Sequence, residues 1–456
     1  MRSLSRDKDT ICALATAHGL GAISVIRISG TQAAEIIRKL AAFLPEKLES
    51  HKIYYGVLRR PGTEDLLDEV LVSYFAQGRS FTGESSFEIS CHGSDIIVDE
   101  ILKALISAGA RPAERGEFTY RAFMSGRIDL VQAESVLALI ESRSSRAAKL
   151  ALRQLRGDLS KRLAALLDQM TLVLANLEAN IDFASEDIEI ASANDLSQRV
   201  RDQIIEVEQI LKGYRQGLIV RNGFQVALVG APNAGKSSLL NALAGEEKAI
   251  VTPVAGTTRD FVEAIISENG YRISIIDTAG LRQSDDEVEK IGVARTLEKL
   301  GDVDLVLYVL DSSLRESSSD DAYWSHLPWE KTAVVFNKAD LVPEVQLSFP
   351  KAQVPLHRLS ATTGVGLKEL RTWLVNKLKA EVSEDSTLLN NARHFSGLQA
   401  VLESLKNSLP LIENQESPDL IALEMQTALR SLYEVLGMSF DDQVMDRVFA
   451  EFCLGK

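Results

Sequence analysis

One stretch constrains this chain more than any other. Gly230-Ala-Pro-Asn-Ala-Gly235-Lys236-Ser237 follows the apolar run Gln225 to Val229 and opens a helical pattern over Ser238 to Leu243. Its glycines let the backbone curl so that successive N–H groups face inward, and the positive end of the following helix adds its dipole. A loop of that shape cradles a phosphate chain, with Lys236 reaching the terminal phosphates and the Ser237 hydroxyl binding magnesium. Such a strand–loop–helix unit belongs in a parallel sheet covered by crossover helices. From Phe224 to about Lys379, short β-rich runs alternate with helical segments, the pattern of a doubly wound α/β domain.

Three further segments follow in the order that a guanine-nucleotide site demands. Ile273-Ser-Ile-Ile-Asp277-Thr278-Ala279-Gly280 is a buried strand ending in an acid that can hold magnesium through water, then a glycine whose N–H can sense the γ-phosphate. Ala333-Val-Val-Phe-Asn337-Lys338-Ala339-Asp340 closes another buried strand, and Asp340 can accept both N1–H and the 2-amino group of guanine, a pairing adenine does not offer. Ser360-Ala361-Thr362, after the strand Val354 to Leu359, sits where a backbone amide meets guanine O6. The ligand is therefore GTP. Val254-Ala-Gly256-Thr257-Thr258-Arg259-Asp260 reads as the mobile switch loop, with a threonine suited to complete the magnesium shell. Leu281 stands where many signalling GTPases carry a water-orienting glutamine, and leucine cannot orient water. Asp285, Asp286, Glu287 and Glu289 are the acids near enough in sequence to replace it.

The flanks are of other kinds. Residues 1–120 mix short apolar runs (Ala22 to Ile28, Val70 to Phe75, Phe87 to Cys91) with a helical stretch, Ile96 to Ile106, and read as a small α+β domain. Over 121–214 glycine becomes scarce, and Leu163, Leu166, Leu167, Met170, Leu174, Leu177 and Ile181 form a stripe on one helix face. Helical periodicity returns over 381–456 (Leu398, Val401, Leu402, Leu405), with an interruption expected around Pro410 to Pro418. If the α/β unit over 215–380 is an insertion, the two helical flanks pack together to bury their stripes. Two separate bundles are the alternative.

Composition narrows the function classes. The 64 acidic and 50 basic residues give a net charge of −14, against a polyanion binder held by bulk charge, although residues 111–161 are locally basic. The 3 cysteines, Cys12, Cys91 and Cys453, are too few for a disulfide framework or a zinc site, so any metal is expected to be oxygen-bound. Cys12 and Cys91 lie in apolar strand contexts and read as core, and His92 reads as a turn-shaping residue. No run approaches the roughly 20 residues of a spanning helix, and MRSLSRDKDT lacks the apolar segment of a signal peptide. A cytoplasmic protein without membrane attachment is expected.

The nucleotide motifs, with Gly256-Thr-Thr-Arg-Asp260 and Asp277-Thr-Ala-Gly-Leu-Arg282, resemble those of the translation-factor-related GTPases that include Era and Der. Arg27-Ile-Ser-Gly30, Ser80-Phe-Thr-Gly-Glu84, Cys91-His-Gly93, Arg115-Gly-Glu-Phe118, Arg121-Ala-Phe123, Asp129-Leu-Val-Gln-Ala-Glu134 and Cys453-Leu-Gly-Lys456 narrow the resemblance to the tRNA modification GTPase MnmE (TrmE) family, over essentially the whole chain. It implies a homodimer with an N-terminal folate-binding and dimerisation domain (1–120), a split all-α domain (121–214 and 381–456) and an inserted Ras-like GTPase domain (215–380). It also implies a partner, the flavoprotein MnmG (GidA), in a heterotetramer that acts on tRNA. There the family places a carboxymethylaminomethyl or aminomethyl group on C5 of the wobble uridine, with a one-carbon unit from 5-formyl- or methylene-tetrahydrofolate.

The resemblance assigns residues too. Nucleotide contacts fall on Asn233, Ala234, Gly235, Lys236, Ser237, Ser238, Thr252, Thr257, Thr258, Asp277, Thr278, Ala279, Gly280, Asn337, Lys338, Asp340, Ser360 and Ala361. Potassium ligation falls on Asn233, Thr252, Val254 and Thr257, and magnesium on Ser237 and Thr258. A potassium ion there takes the place of an arginine finger, switched on when two GTPase domains meet. The family's water-orienting glutamate lands on Glu289, with Arg282 supporting its loop. Folate contacts map onto Arg27, Glu88 and Arg127, with Lys456 reaching the same region, and a chemical role has been proposed for the cysteine at Cys453. Arg127 stands where the family usually has lysine, and Thr16-Ala-His-Gly-Leu-Gly21 departs from the family's arginine- and proline-bearing loop. The rival class is a regulatory or assembly GTPase, Era- or Der-like, whose flanks serve only as a platform. A third reading is a folate-dependent transferase in which GTP only promotes assembly.

Overall fold

The computed structural model describes residues 9–182, 191–245, 262–268, 270–277, 303–313, 326–342, 354–382 and 389–439, together with Met445, 448–450, Phe452 and Gly455. The chain divides into two compact units, one of 1–137, 154–204 and 400–456, the other of 138–153 and 205–399.

The first unit contains a six-stranded sheet. Its strands are β1 (Ile11–Leu14), β2 (Ile23–Ser29), β3 (Lys52–Arg59), β4 (Leu66–Phe75), β5 (Ser86–His92) and the two-residue β6 (Arg111–Pro112). They lie in the order β3-β4-β5-β2-β1-β6, antiparallel except for β1 beside β6. Alternation sends Ile26, Ile28, Val70, Val72, Phe87 and Ile89 to one face, where α1 (Ala33–Leu40) and α2 (Asp95–Ser107) cover them. Cys12 and Cys91 sit in this core, as their contexts predicted. On the other face Ile53, Tyr55 and Leu71 are exposed.

Helices then follow in series: α3 (Glu117–Met124), α4 (Leu130–Ile140), α5 (Ser145–Leu155), α6 (Asp158–Asp182), α7 (Ala193–Lys212) and α8 (Tyr214–Asn222). The stripe on α6 is buried at Leu163, Leu166, Leu167, Met170 and Leu177, while Leu174 is only half-buried and Val173 takes the buried position instead.

The second unit holds β7 (Phe224–Val229), α9 (Lys236–Ala244), β8 (Val262–Glu268), β9 (Tyr271–Asp277), β10 (Leu305–Asp311), β11 (Thr332–Asn337), β12 (Leu356–Arg358) and α10 (Leu367–Glu381). The strand order is β12-β11-β10-β7-β9-β8, parallel except for the β8–β9 hairpin. This is the Ras-like doubly wound order. The order reverses at β7, so a ligand crevice opens beyond its carboxyl end. The strands are near-continuous apolar runs because both faces are covered, as at Leu305, Val306, Leu307, Tyr308 and Val309, each at most 2% exposed.

Two final helices are α11 (Ala392–Glu413) and α12 (Pro418–Leu436). In the first unit α12 packs against α6, which brings this part of the C-terminal flank onto the flank that precedes the α/β segment. The interruption expected around Pro410 to Pro418 falls over 414–417, between α11 and α12; Pro410 itself stays inside the last turn of α11, which ends at Glu413. The ring removes one hydrogen bond close to the helix end, while buried Ile412 and the bond from Asn414 N–H to Pro410 O hold the last turn.

Candidate functional site

Four strand ends of the second unit meet at its carboxyl edge. After β7, Gly230 has φ 147°, and a Cβ there would stand 2.2 Å from Val309 O of the neighbouring strand, so only glycine passes. Asn233 (φ 64°) and Gly235 (φ 91°) are also left-handed, and their turns bring the chain into α9. Lys236 is buried and folds back over the loop, donating to Gly230 O at 2.7 Å and Ala231 O at 2.8 Å. The Ser237 hydroxyl, on the first turn of α9, donates to Asp277 Oδ2 at the end of β9 at 2.7 Å, uniting two of the three residues that sequence assigned to magnesium. Both offer hard oxygen donors, the type magnesium demands.

Asn337, at the end of β11, does more than its motif suggested. Its Nδ2 donates to Ala234 O at 3.0 Å, and its Oδ1 accepts the Ala361 N–H at 3.0 Å, so one buried side chain joins the phosphate loop to the loop after β12. The Ala361 amide is therefore committed to Asn337 in this structure. Lys338 (φ 61°) donates to Asp311 Oδ2 at 2.6 Å. Asp311 ends β10 opposite Asn337 in register, and sequence reading missed it because nothing local marks an acid that pairs across a sheet. Burial pushes the Asp311 carboxyl up, but Lys338 and the Ser313 hydroxyl and amide more than offset this and hold it below its ordinary value. Asp340 is exposed beyond these ties, available to a base edge, while Ser360 is buried and accepts the Thr363 N–H at 3.2 Å. Ser238 lies exposed on the first turn of α9. Thr252, Val254, Thr257, Thr258, Thr278, Ala279, Gly280, Arg282, Glu289, Cys453 and Lys456 lie outside the described residues.

Residues 10–127 match the N-terminus of the GTP-binding protein TrmE, and residues 130–453 match the MnmE helical domain. A tRNA modification GTPase MnmE of Bdellovibrio bacteriovorus is 43% identical, covering 99% of this chain and 98% of its own. One of Natranaerobius thermophilus is 39% identical, covering 98% and 100%. This chain belongs to the MnmE family of tRNA modification GTPases. A solved structure, the G domain of the T. maritima FeoB iron transporter, is 31% identical over 34% of this chain and 97% of that one, at a TM-score of 0.26.

In this MnmE-family chain the residues expected to hold folate lie in the first unit. Arg27 on β2 faces Glu88 on β5 in register and donates to its Oε1 through Nε at 3.0 Å and Nη2 at 2.8 Å. The Arg27 guanidinium also lies 5.8 Å from the Phe81 ring and 5.5 Å from the Phe118 ring. Arg127 is exposed, with Nη1 3.5 Å from Gly78 O, the loop that carries Phe81. Two motifs that marked the family form the scaffold of this region. Buried Arg121 donates to both Glu84 oxygens at 3.1 Å, to Glu117 Oε1 at 3.0 Å and to Asp9 O at 2.8 Å. Ser29 donates to Glu84 Oε2 at 2.6 Å, and Thr82 and Ser80 extend the network.

The Cys-Leu-Gly-Lys segment is seated nearby at one point. A Cβ on Gly455 (φ 85°) would stand 2.0 Å from Leu14 O, and Leu14 pairs with Ile26 beside Arg27. His92 ends β5 at the turn into α2, where its C=O accepts the Ser94 N–H at 2.9 Å, with Nδ1 2.7 Å from Asp68 Oδ1 and its backbone N–H donated to Asp68 Oδ2 at 2.8 Å. Burial pushes the Cys12 thiol up to about 12 and the Cys91 thiol up to about 11, so neither is a nucleophile near neutral pH. Among the described residues no helix is long and apolar enough to cross a membrane.

Proposed function

We propose that this chain hydrolyses GTP to drive modification of the wobble uridine of tRNA, the activity named for its relatives. The observation that carries the GTPase part is the joined loop edge, in which Asn337 holds the phosphate loop against the base-binding loop and Ser237 meets Asp277. Lys236 exchanges two backbone carbonyls for phosphate oxygens, Ser237 turns its hydroxyl from Asp277 toward the phosphates, and exposed Asp340 receives the guanine edge. Ser237 and Thr258 would hold magnesium, with Asp277 accepting from its water; the bound ion supplies positive charge against the phosphate oxygens. Asn233, exposed in a left-handed turn, would hold potassium with Thr252, Val254 and Thr257, and that ion supplies the charge an arginine finger supplies elsewhere. Glu289, supported by Arg282, orients the attacking water.

The tRNA chemistry rests on the first unit. Arg27 and Arg127 would pair with folate carboxylates and Glu88 with the amino-pyrimidine edge, once Glu88 shares or releases Arg27. The fit is partial, since both Arg27 bonds fall on one Glu88 oxygen and leave the other to a ligand. The seat of Gly455 beside β1 supports a Lys456 that reaches this region and a Cys453 that works there. Homodimers joined to MnmG in a heterotetramer, working in the cytoplasm with a tetrahydrofolate donor, complete the reading.

The test is GTP turnover in matched potassium and sodium buffers, with Asn233→Ala and Glu289→Ala in parallel. We expect strong potassium stimulation that Asn233→Ala removes; equal rates in both salts would sink the cation-activated mechanism. In cells that depend on this protein, Lys236→Ala should leave the wobble uridine unmodified by mass spectrometry, and full modification would refute the coupling to GTP.

A further inference from the structure

The β8–β9 hairpin links two ends of the second unit. At its root Val262 pairs with Asp277, whose carboxylate accepts the Ser237 hydroxyl. At its tip Glu268 pairs with Tyr271, six residues and about 20 Å along the strand from Asp277. The tip is gripped from two sides. Arg146 of α5 lays its guanidinium 3.8 Å from the centre of the Tyr271 ring, and its backbone N–H donates to Gly270 O at 3.4 Å. Gly270 (φ 77°) permits this approach, because a Cβ there would stand 2.4 Å from Ser145 Oγ. One turn along α5, Leu150 is buried in the same apolar cluster as Tyr271. From the other side Arg371 of α10 donates to Glu268 Oε2 at 3.2 Å.

The hairpin is braced to move as one body. On one face Glu263, beside the root, accepts from Arg272 near the tip at 2.8 Å and from Ser274 between them. On the other face Ala264, Ile266, Ile273 and Ile275 are locked into the core. A displacement at Tyr271 is therefore felt at Asp277 rather than dissipated in the turn. We propose that Arg146 and Tyr271 are positioning residues for GTP hydrolysis: the docking of α5 on the hairpin tip sets the placement of Asp277 at the root. Resting on the reading of the chain as a GTPase, this gives α5, which lies outside the α/β segment in the chain, a hold on the nucleotide site through the hairpin.

The experiment is steady-state GTP turnover by the full-length protein carrying Arg146→Ala, Arg146→Lys, Tyr271→Leu, Tyr271→Phe and the double variant Arg146→Ala/Tyr271→Leu. A cation held against an aromatic ring supports a change of about five- to tenfold. Arg146→Ala and Tyr271→Leu should each lower kcat by that factor with KM within about twofold, while Arg146→Lys and Tyr271→Phe, which keep cation and ring, recover most of it. The double variant should be no slower than either single one, because both remove the same contact. A kcat within twofold of the parent in Arg146→Ala, or losses that multiply in the double variant, overturns the proposal. If the parent itself shows no turnover, the GTPase reading falls instead, so the two failures are distinct. Thermal melting separates positioning from damage: an Arg146→Ala protein that loses kcat only in proportion to lost folded fraction also overturns it.

Discussion

Asn337 donates its side-chain amide to Ala234 O at 3.0 Å while its carbonyl oxygen accepts the Ala361 N–H at 3.0 Å. A residue of the base-recognition motif is thus also the brace of the phosphate loop, and cutting it disturbs both ends of the nucleotide. Asn337→Ala should weaken GTP and GDP alike by tenfold or more and lower the stability of the unit by about 2–4 kcal/mol, since it leaves buried partners unpaired. Nucleotide titration together with denaturant unfolding checks this; unchanged stability would mean that the brace is idle.

Asp340 stands outside that brace, exposed, and its variant should behave differently. Asp340→Asn removes two charge-assisted bonds to guanine, a loss of about 100-fold in GTP affinity, without altering the melting temperature. The amide can instead donate to the second oxygen of xanthine, so XTP should become the better ligand. Competition binding with the two nucleotides decides it.

The Ser237–Asp277 contact predicts how turnover depends on magnesium. Ser237→Ala removes a metal oxygen donor and should lower kcat about 100-fold or raise the magnesium concentration needed for half-maximal rate by a similar factor. Magnesium titration of the parent and variant is the measurement, and an unshifted curve with unchanged kcat would count against Ser237 as a ligand.

In the first unit, Glu117 predicts an acid limit. Burial pushes its carboxyl up, yet Arg111, the Glu114 amide and Arg121 outweigh burial and hold it below its ordinary value of 4.5. A depressed folded value means a stabilisation fully present above pH 4.5 and lost as pH falls through the folded value. Glu117→Gln should cost about 1–3 kcal/mol at pH 7, because Arg111 and Arg121 lose charge-assisted bonds while Glu84 still neutralises Arg121, and the deficit should shrink below pH 4.5. Denaturant unfolding at pH 7 and pH 3.5 tests the sign.

The two raised thiols make a chemical prediction. With values of about 12 and about 11, Cys12 and Cys91 should stay unmodified by iodoacetamide in the native protein at pH 8 and react fully once it is unfolded. Mass mapping of labelled peptides shows either result directly.

What could be read from sequence was whatever is local. The phosphate loop, the buried strands ending in Asp277 and Asn337 and the stripe on α6 each announce themselves through residue types a few positions apart. Partner choice across a sheet does not. Lys338 with Asp311, Arg121 with Glu84, and Arg146 with Tyr271 join residues whose spacing carries no period, so the motifs Ser80-Phe-Thr-Gly-Glu84 and Arg121-Ala-Phe123 could mark a family without disclosing that they bind each other. The break expected between Pro410 and Pro418 was local too and lies over 414–417, while Pro410 is itself tolerated one turn earlier because the helix is about to end and Ile412 is already buried.

The Arg27–Glu88 pair has a consequence for any anionic ligand of the first unit. Such a ligand finds Arg27 already neutralised, so it displaces one carboxylate with another and gains only the difference between two similar bonds. Added salt loosens the resident pair as well as the incoming one. Ligand affinity at this site should therefore be far less sensitive to ionic strength than the charge of the ligand suggests, and selection should fall to ring shape and hydrogen-bond pattern rather than to charge.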